Sequence, residues 1–170
     1  KLLDFLSQNH VIVHFFNYYG MYSGTFYPKD QYLSGRLLIA QVNKYQTDRL
    51  KIAQAIVKVI GDNIAEILYH YYKHNKKEVK ETIDWLRKDF VENVLKSQTI
   101  EELMSYEGQA WAKFYATFKY FLPEDCIMNK RVKRPPDNPM NALISFGNTL
   151  LYQRFANEIN RTSLDIRIGI

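Results

Sequence analysis

The sequence predicts a mainly α-helical protein, a multi-helix C-terminal domain preceded by the β-hairpin remnant of an N-terminal β domain. Three observations carry this. Two β-branched and aromatic runs separated by a turn stand within the first 27 positions. Beyond them, apolar residues recur in steps of three and four. Prolines fall between the expected helical stretches rather than inside them.

The elements follow in order. Leu2, Leu3 and Leu6 have helical spacing, so Lys1–Gln8 reads as the last turns of a helix. His10–Phe16 and Tyr22–Tyr27 read as strands, with Tyr19, Gly20 and Met21 supplying the turn. A lone two-stranded hairpin is marginal in water, which places its missing strands upstream of Lys1. Pro28 to Gly35 reads as a linker, giving a domain division at 1–32 and 33–170.

Four helices are expected after it. The first runs from Asp48 through Leu50, Ala53, Val57, Ile60, Ile64, Ile67 and Tyr71, with Thr47 as its N-cap. Gly61 interrupts it at about 1 kcal/mol relative to Ala, a loss that close packing by a neighbour would offset. Lys77–Lys96 carries Val79, Ile83, Leu86, Phe90 and Val94 on one face. Gln98–Leu122 opens with Thr99 and Glu102, the spacing of a capping box. Met140–Ile159 is the last.

Composition bounds the function. Hydrophobic residues make up 46% and charged residues 24% of the 170, which excludes a disordered or low-complexity chain. No apolar run approaches the roughly 20 residues of a membrane span. A net charge of +5 is compatible with a polyanionic partner without specifying one. One cysteine, Cys126, excludes an internal disulfide and fits a reducing cytosol. The chain begins at Lys1 without methionine or signal peptide and stops at Ile170, and it reads as a piece of a longer protein.

Three stretches could carry chemistry. On the third helix, Leu103, Ala110, Phe114, Phe118 and Phe121 form an apolar stripe, flanked by Met104, Trp111 and Tyr115. Glu107 falls in line with that stripe. A buried lone carboxylate must be paired, neutralised or bound to a cation, so two readings stay open: a salt bridge to a neighbouring helix, or a metal or catalytic carboxylate. Gly108 beside it admits close approach by a backbone or ligand. The loop from Asn129 to Pro136 sets Lys130, Arg131, Lys133 and Arg134 within five positions, a pattern that suits phosphate oxygens or simply a solvated loop. On the fourth helix Asn141, Ser145, Asn148 and Tyr152 make a polar stripe suited to a semi-buried cleft, whereas Leu143, Phe146, Gly147 and Leu150 point elsewhere.

Other chemistries find little support. His70 and His74 share a helix face but lack a third ligand and read as a solvated C-terminal turn. Cys126 has no CxxC partner. No GxGxxG, Walker A or GxSxG motif occurs.

Taken together, these blocks resemble the CRISPR-associated spacer-acquisition integrase family, Cas protein one. The block from Arg131 to Asn148 is similar to the family's R-x-x-R-P-P-x-x-P-x-N-A-L-x-S-F-G signature. Glu107-Gly108 followed by Tyr115 resembles the helix bearing the family's metal-binding glutamate, with Phe114 where a Tyr is frequent. Leu164-Asp165-Ile166-Arg167-Ile168-Gly169 resembles its L-D-P-x-I-G turn, with Ile166 in place of Pro. Val11–Phe16, Tyr22–Pro28 and the segment from Ser34 to Gln41 resemble the end of the β domain and its linker.

The resemblance implies a divalent-metal-dependent DNA endonuclease and integrase of the prokaryotic cytoplasm. A spacer 3′-hydroxyl would attack a phosphodiester of the CRISPR repeat by transesterification. The implied cofactor is Mg²⁺ or Mn²⁺, with Glu107 as metal ligand and catalytic residue. Arg131 and Arg134, with Lys130 and Lys133, are the DNA-binding candidates. Asn141, Ser145 and Tyr115 are expected as a second layer around Glu107. The implied partners are DNA, a second copy of the protein, and the smaller adaptation protein, Cas protein two. Two further ligands, a histidine and an acidic residue, are implied beyond Ile170, so the chain alone is expected to be catalytically incompetent. The alternative is a non-catalytic helical DNA-binding module with Glu107 merely salt-bridged.

Overall fold

The computed structural model describes residues 1–28, 35–128 and 130–169. These divide into two compact units, Lys1–Tyr45 with Phe146–Gly169, and Gln46–Ser145. The expected division at 32/33, and most of the 28–35 linker, lie outside the described residues. Among the described residues no helix is long and apolar enough to cross a membrane.

In the first unit, helix α1 (Leu2–Gln8) leads into antiparallel strands β1 (Val13–Phe16) and β2 (Tyr22–Phe26). Strand β1 starts three residues later than expected, after His10, whose φ of 54° is incompatible with a strand. The turn closes at Asn17, whose Oδ1 accepts the amides of Tyr19 (3.0 Å) and Met21 (2.9 Å). Gly20, at φ 71°, takes the left-handed position. Register pairs Val13 with Phe26 and Phe16 with Tyr22, with an irregularity between Phe15 and Phe16. At the other end of the sequence, Gln41 binds the turn around Asp165. Its Nε2 donates to the carbonyls of Asp165 (2.9 Å) and Ile168 (3.2 Å), and its Oε1 accepts the Asp165 amide (3.0 Å).

Helix α2 runs unbroken from Gly35 to Lys73, 39 residues. The N-cap expected at Thr47 is therefore wrong. Leu37, Leu38, Ala40 and Gln41 are strong helix formers, no proline or glycine stands between Arg36 and Ile60, and a nucleated helix propagates through such a stretch. The segment from Lys77 to Lys96 is helical throughout, as expected. A 3₁₀ turn at Lys77–Val79 leads into α3 (Lys80–Trp85), a π turn at Leu86–Phe90, and α4 (Val91–Lys96).

The core of the second unit joins Val57, Ile64, Ala65 and Leu68 of α2 with Val79, Ile83, Leu86, Phe90 and Val94. Leu103 and Ala110 of α5 (Ile100–Ala116) complete it. Gly61 sits where the notched helix meets Phe90. A Cβ there would stand 2.6 Å from Phe90 Cδ1 and closer still to Cε1. Gln54 of α2 closes the α4–α5 turn by donating to the carbonyl of buried Ser97 (3.0 Å).

Helix α5 begins at the expected N-cap, Thr99, with the returning Glu102 bond made one residue earlier, to Gln98. Thr99 Oγ1 accepts the Glu102 amide (3.2 Å), and Glu102 Oε2 accepts the Gln98 amide (2.8 Å). It ends at Ala116 rather than Leu122, where the Thr117 hydroxyl donates back to the Phe114 carbonyl (2.6 Å) and a 3₁₀ turn, Phe118–Tyr120, follows. Helix α6 spans Pro139–Asn160.

Candidate functional site

Glu107, Trp111 and Tyr115 stand one turn apart on α5 and touch in sequence. Trp111 Nε1 donates to Glu107 Oε1 (3.3 Å). The Trp111 and Tyr115 rings stack with centroids 5.7 Å apart. Burial pushes the Tyr115 phenol above its usual pKa, while the nearby positive charge of Arg131 pulls the other way. A row of contacts thus runs from the carboxylate to Tyr115, which feels the charge of Arg131 in the basic loop.

Glu107 is half-buried, not sunk in the core. At about 100° per residue it lies about 60° round the helix from Ala110, which is fully buried. The line of the stripe passes through Leu103 and Ala110, and Glu107 rides its edge. The carboxylate therefore needs no buried counter-charge, and among the described residues none is paired with it. Gly108 is exposed with open space where a Cβ would stand, so no neighbouring backbone packs there. Met104 likewise faces solvent.

The basic loop is organised by one arginine. Arg131 Nη1 donates to the Val132 carbonyl (2.7 Å), to Asn141 Oδ1 (2.9 Å) and to the Asn141 carbonyl (3.3 Å). Its Nη2 donates to Ser145 Oγ (2.8 Å). Asn141 is fully buried, and its side chain uses every donor and acceptor it has. Its Oδ1 accepts the Val132 amide (3.2 Å) besides Arg131, and its Nδ2 donates to the Lys130 carbonyl (3.1 Å) and Asp137 Oδ1 (2.6 Å). Asn138 caps α6 by accepting the Asn141 amide (2.8 Å), with Pro139 at the first helical position. The Arg134–Pro135 bond is cis.

The candidates thus fall into place unevenly. Lys130, Lys133 and Arg134 are exposed, whereas Arg131 is half-buried with its guanidinium turned onto α6. Asn141 and Ser145, expected around Glu107, hydrogen-bond Arg131. Tyr115 stacks on Trp111 and lies within the electrostatic reach of Arg131. The expected polar stripe splits, because Asn148 and Tyr152 are exposed. Sequence reasoning missed Trp111 as the partner of Glu107, for an indole in an aromatic stripe looks like core. It also missed Asp137 and Asn138, although Asn before Pro at a helix start is a readable cap.

Among the described residues no group of three or more His, Cys, Asp or Glu side chains could hold a metal ion. Glu107 is a hard oxygen donor suited to Mg²⁺ or Mn²⁺, but one carboxylate is not a complete site. His70 and His74 are exposed, their rings 4.5 Å apart. Cys126 is half-buried, and desolvation together with the Asp125 carboxylate raises its pKa, which opposes a nucleophilic thiolate.

Across residues 1–170 the chain matches the family described as CRISPR associated protein Cas1, and it belongs to that family. It is 40% identical, over 99% of its length and 52% of the relative's, to CRISPR-associated endonuclease Cas1 2 of Thermodesulfovibrio yellowstonii. It is 41% identical to CRISPR-associated endonuclease Cas1 2 of Moorella thermoacetica, again over 99% of this chain and 50% of that one. The solved structure of TM1797, a CAS1 protein from Thermotoga maritima, superposes with a TM-score of 0.81 at 35% identity, covering 98% of this chain and 52% of that one. A chain of a Cas6-RT-Cas1–Cas2 complex gives 0.73 at 27% identity, covering 89% and 17%. The chain spans about half the length of the curated relatives it matches.

Proposed function

We propose that the intact protein is a metal-dependent DNA endonuclease and integrase of CRISPR adaptation, acting as a homodimer with Cas protein two in the prokaryotic cytoplasm. The observation that supports this best is the Glu107–Trp111–Tyr115 row on α5, a half-buried carboxylate whose row ends at a phenol within electrostatic reach of Arg131 in the basic loop. Names of relatives as endonucleases, and a Cas1–Cas2 complex among the structural neighbours, support the same reading.

The reaction is a transesterification. The 3′-oxygen of a spacer end bonds to a phosphorus of the repeat, that phosphorus's bond to a repeat oxygen breaks, and the departing oxygen takes up a proton in place of the one the attacking hydroxyl loses. In this reading Glu107 is one hard ligand for Mg²⁺ or Mn²⁺, and the remaining ligands come from outside residues 1–170. Exposed cations of the 130–134 loop bind the DNA backbone.

The test incubates intact protein with branched DNA in Mg²⁺, in Mn²⁺ or in chelator. Cleavage or joining is expected only with a divalent cation. Salt-sensitive binding indifferent to both cations, with no cleavage in any condition, would instead mean a non-catalytic DNA-binding module. The 170-residue chain alone is expected to give no product, and cation-dependent nuclease activity from it would contradict the single-ligand reading.

A further inference from the structure

We infer that Arg131 is a positioning residue, the strut by which Asn141 and Ser145 of α6 hold the basic loop, and that Lys133 and Arg134 make the loop's phosphate contacts. This deepens the proposed function and rests on it.

Four recorded bonds engage two of the three guanidinium nitrogens of Arg131, and each runs to an uncharged oxygen of the loop or of α6. Such a fork costs little side-chain entropy per bond because it is planar and rigid, and a lysine cannot reproduce it. The other half of the tie is Asn141, whose amide bridges the loop on both sides of Arg131 through the Lys130 carbonyl and the Val132 amide. A buried amide with every valence filled costs free energy if any partner leaves, so the network favours one loop conformation. Lys133 and Arg134 follow directly, exposed, and among the described residues neither is in an ion pair. Fixing the loop before DNA arrives removes an ordering cost from binding.

The experiment uses intact protein, a short duplex DNA, and chelator to exclude divalent cations. It measures the slope of log affinity against log salt together with hydrogen exchange at the Val132 amide. Lys133→Ala and Arg134→Ala are each expected to lower the slope by about 0.9, the value of one phosphate contact. Arg131→Lys keeps the charge but loses the fork. It is expected to speed Val132 exchange and to lower the slope by up to about 1.8, because both contacts lose their support together. Asn141→Ala, which removes no charge, should act like Arg131→Lys. If that variant misfolds, Ser145→Ala gives a milder change in the same direction. An Arg131→Lys protein with parental slope and exchange would overturn the inference, and so would faster exchange with unchanged DNA binding. A parent protein without affinity for DNA would overturn the functional reading itself, an outcome distinguishable from both.

Discussion

Gly61 shows how one residue can be fixed by its neighbour. Alanine there would gain about 1 kcal/mol of helix propensity, yet its Cβ would overlap the fully buried ring of Phe90. Overpacking of this kind costs about 1–3 kcal/mol, and the ring is hemmed in by the core, so the clash should win. Gly61→Ala is expected to lower stability by up to about 2 kcal/mol in urea denaturation, a fall of a few degrees in Tm. Equal or greater stability would show that Phe90 moves aside freely. Tyr115 offers a second test at this scale. Arg131 lowers its phenol pKa against a larger upward push from burial. Removing the charge in Arg131→Gln should therefore raise that pKa further, read from the carbon-13 shift of labelled Tyr115; a fall would place the arginine elsewhere.

The helices differ in how plainly the sequence announces them. The Thr99–Glu102 cap was readable because both halves of the box are local, and Thr99→Ala should cost about 1 kcal/mol by thermal or urea unfolding. The apolar face of residues 77–96 was readable because all five of its predicted residues are buried. The start of α2 was not, since Thr47-Asp48 imitates a cap inside a segment of strong helix formers. Glu107 was legible as an anomaly but not in its depth. Periodicity assigns a direction around a helix, whereas burial depends on what packs opposite. The role of Asn141 and Ser145 was illegible for a related reason. Their partner, Arg131, lies ten or more positions back in a loop, and no spacing rule connects a loop guanidinium to a helix face.

For the whole molecule, the net charge of +5 is unevenly distributed. Lys130, Arg131, Lys133 and Arg134 contribute four positive charges within five residues, and three of the four face solvent. The turn at Asp165 has its own electrostatics. Hydrogen bonds from the Arg167 guanidinium and amide hold the Asp165 carboxyl at about 2, below its ordinary 3.8. A depressed carboxyl pKa stabilises the fold fully above the ordinary value, and that contribution disappears as pH falls from about 4 toward 2. Arg167→Gln should return the Asp165 titration toward 3.8 in a carbon-13 experiment, and an unmoved titration would show that the pair does not form in solution.

In the proposed function, Glu107 serves DNA strand chemistry rather than the fold. Its half-buried position at the edge of the core, with a single long bond to Trp111, means that removing the carboxylate should leave the helix intact. The most direct measurement is cleavage and joining of branched DNA by the intact protein carrying Glu107→Ala, with unfolding followed in parallel. Loss of product at parental stability and near-parental DNA affinity is expected. A folded Glu107→Ala protein that cuts and joins DNA as the parent does would contradict it.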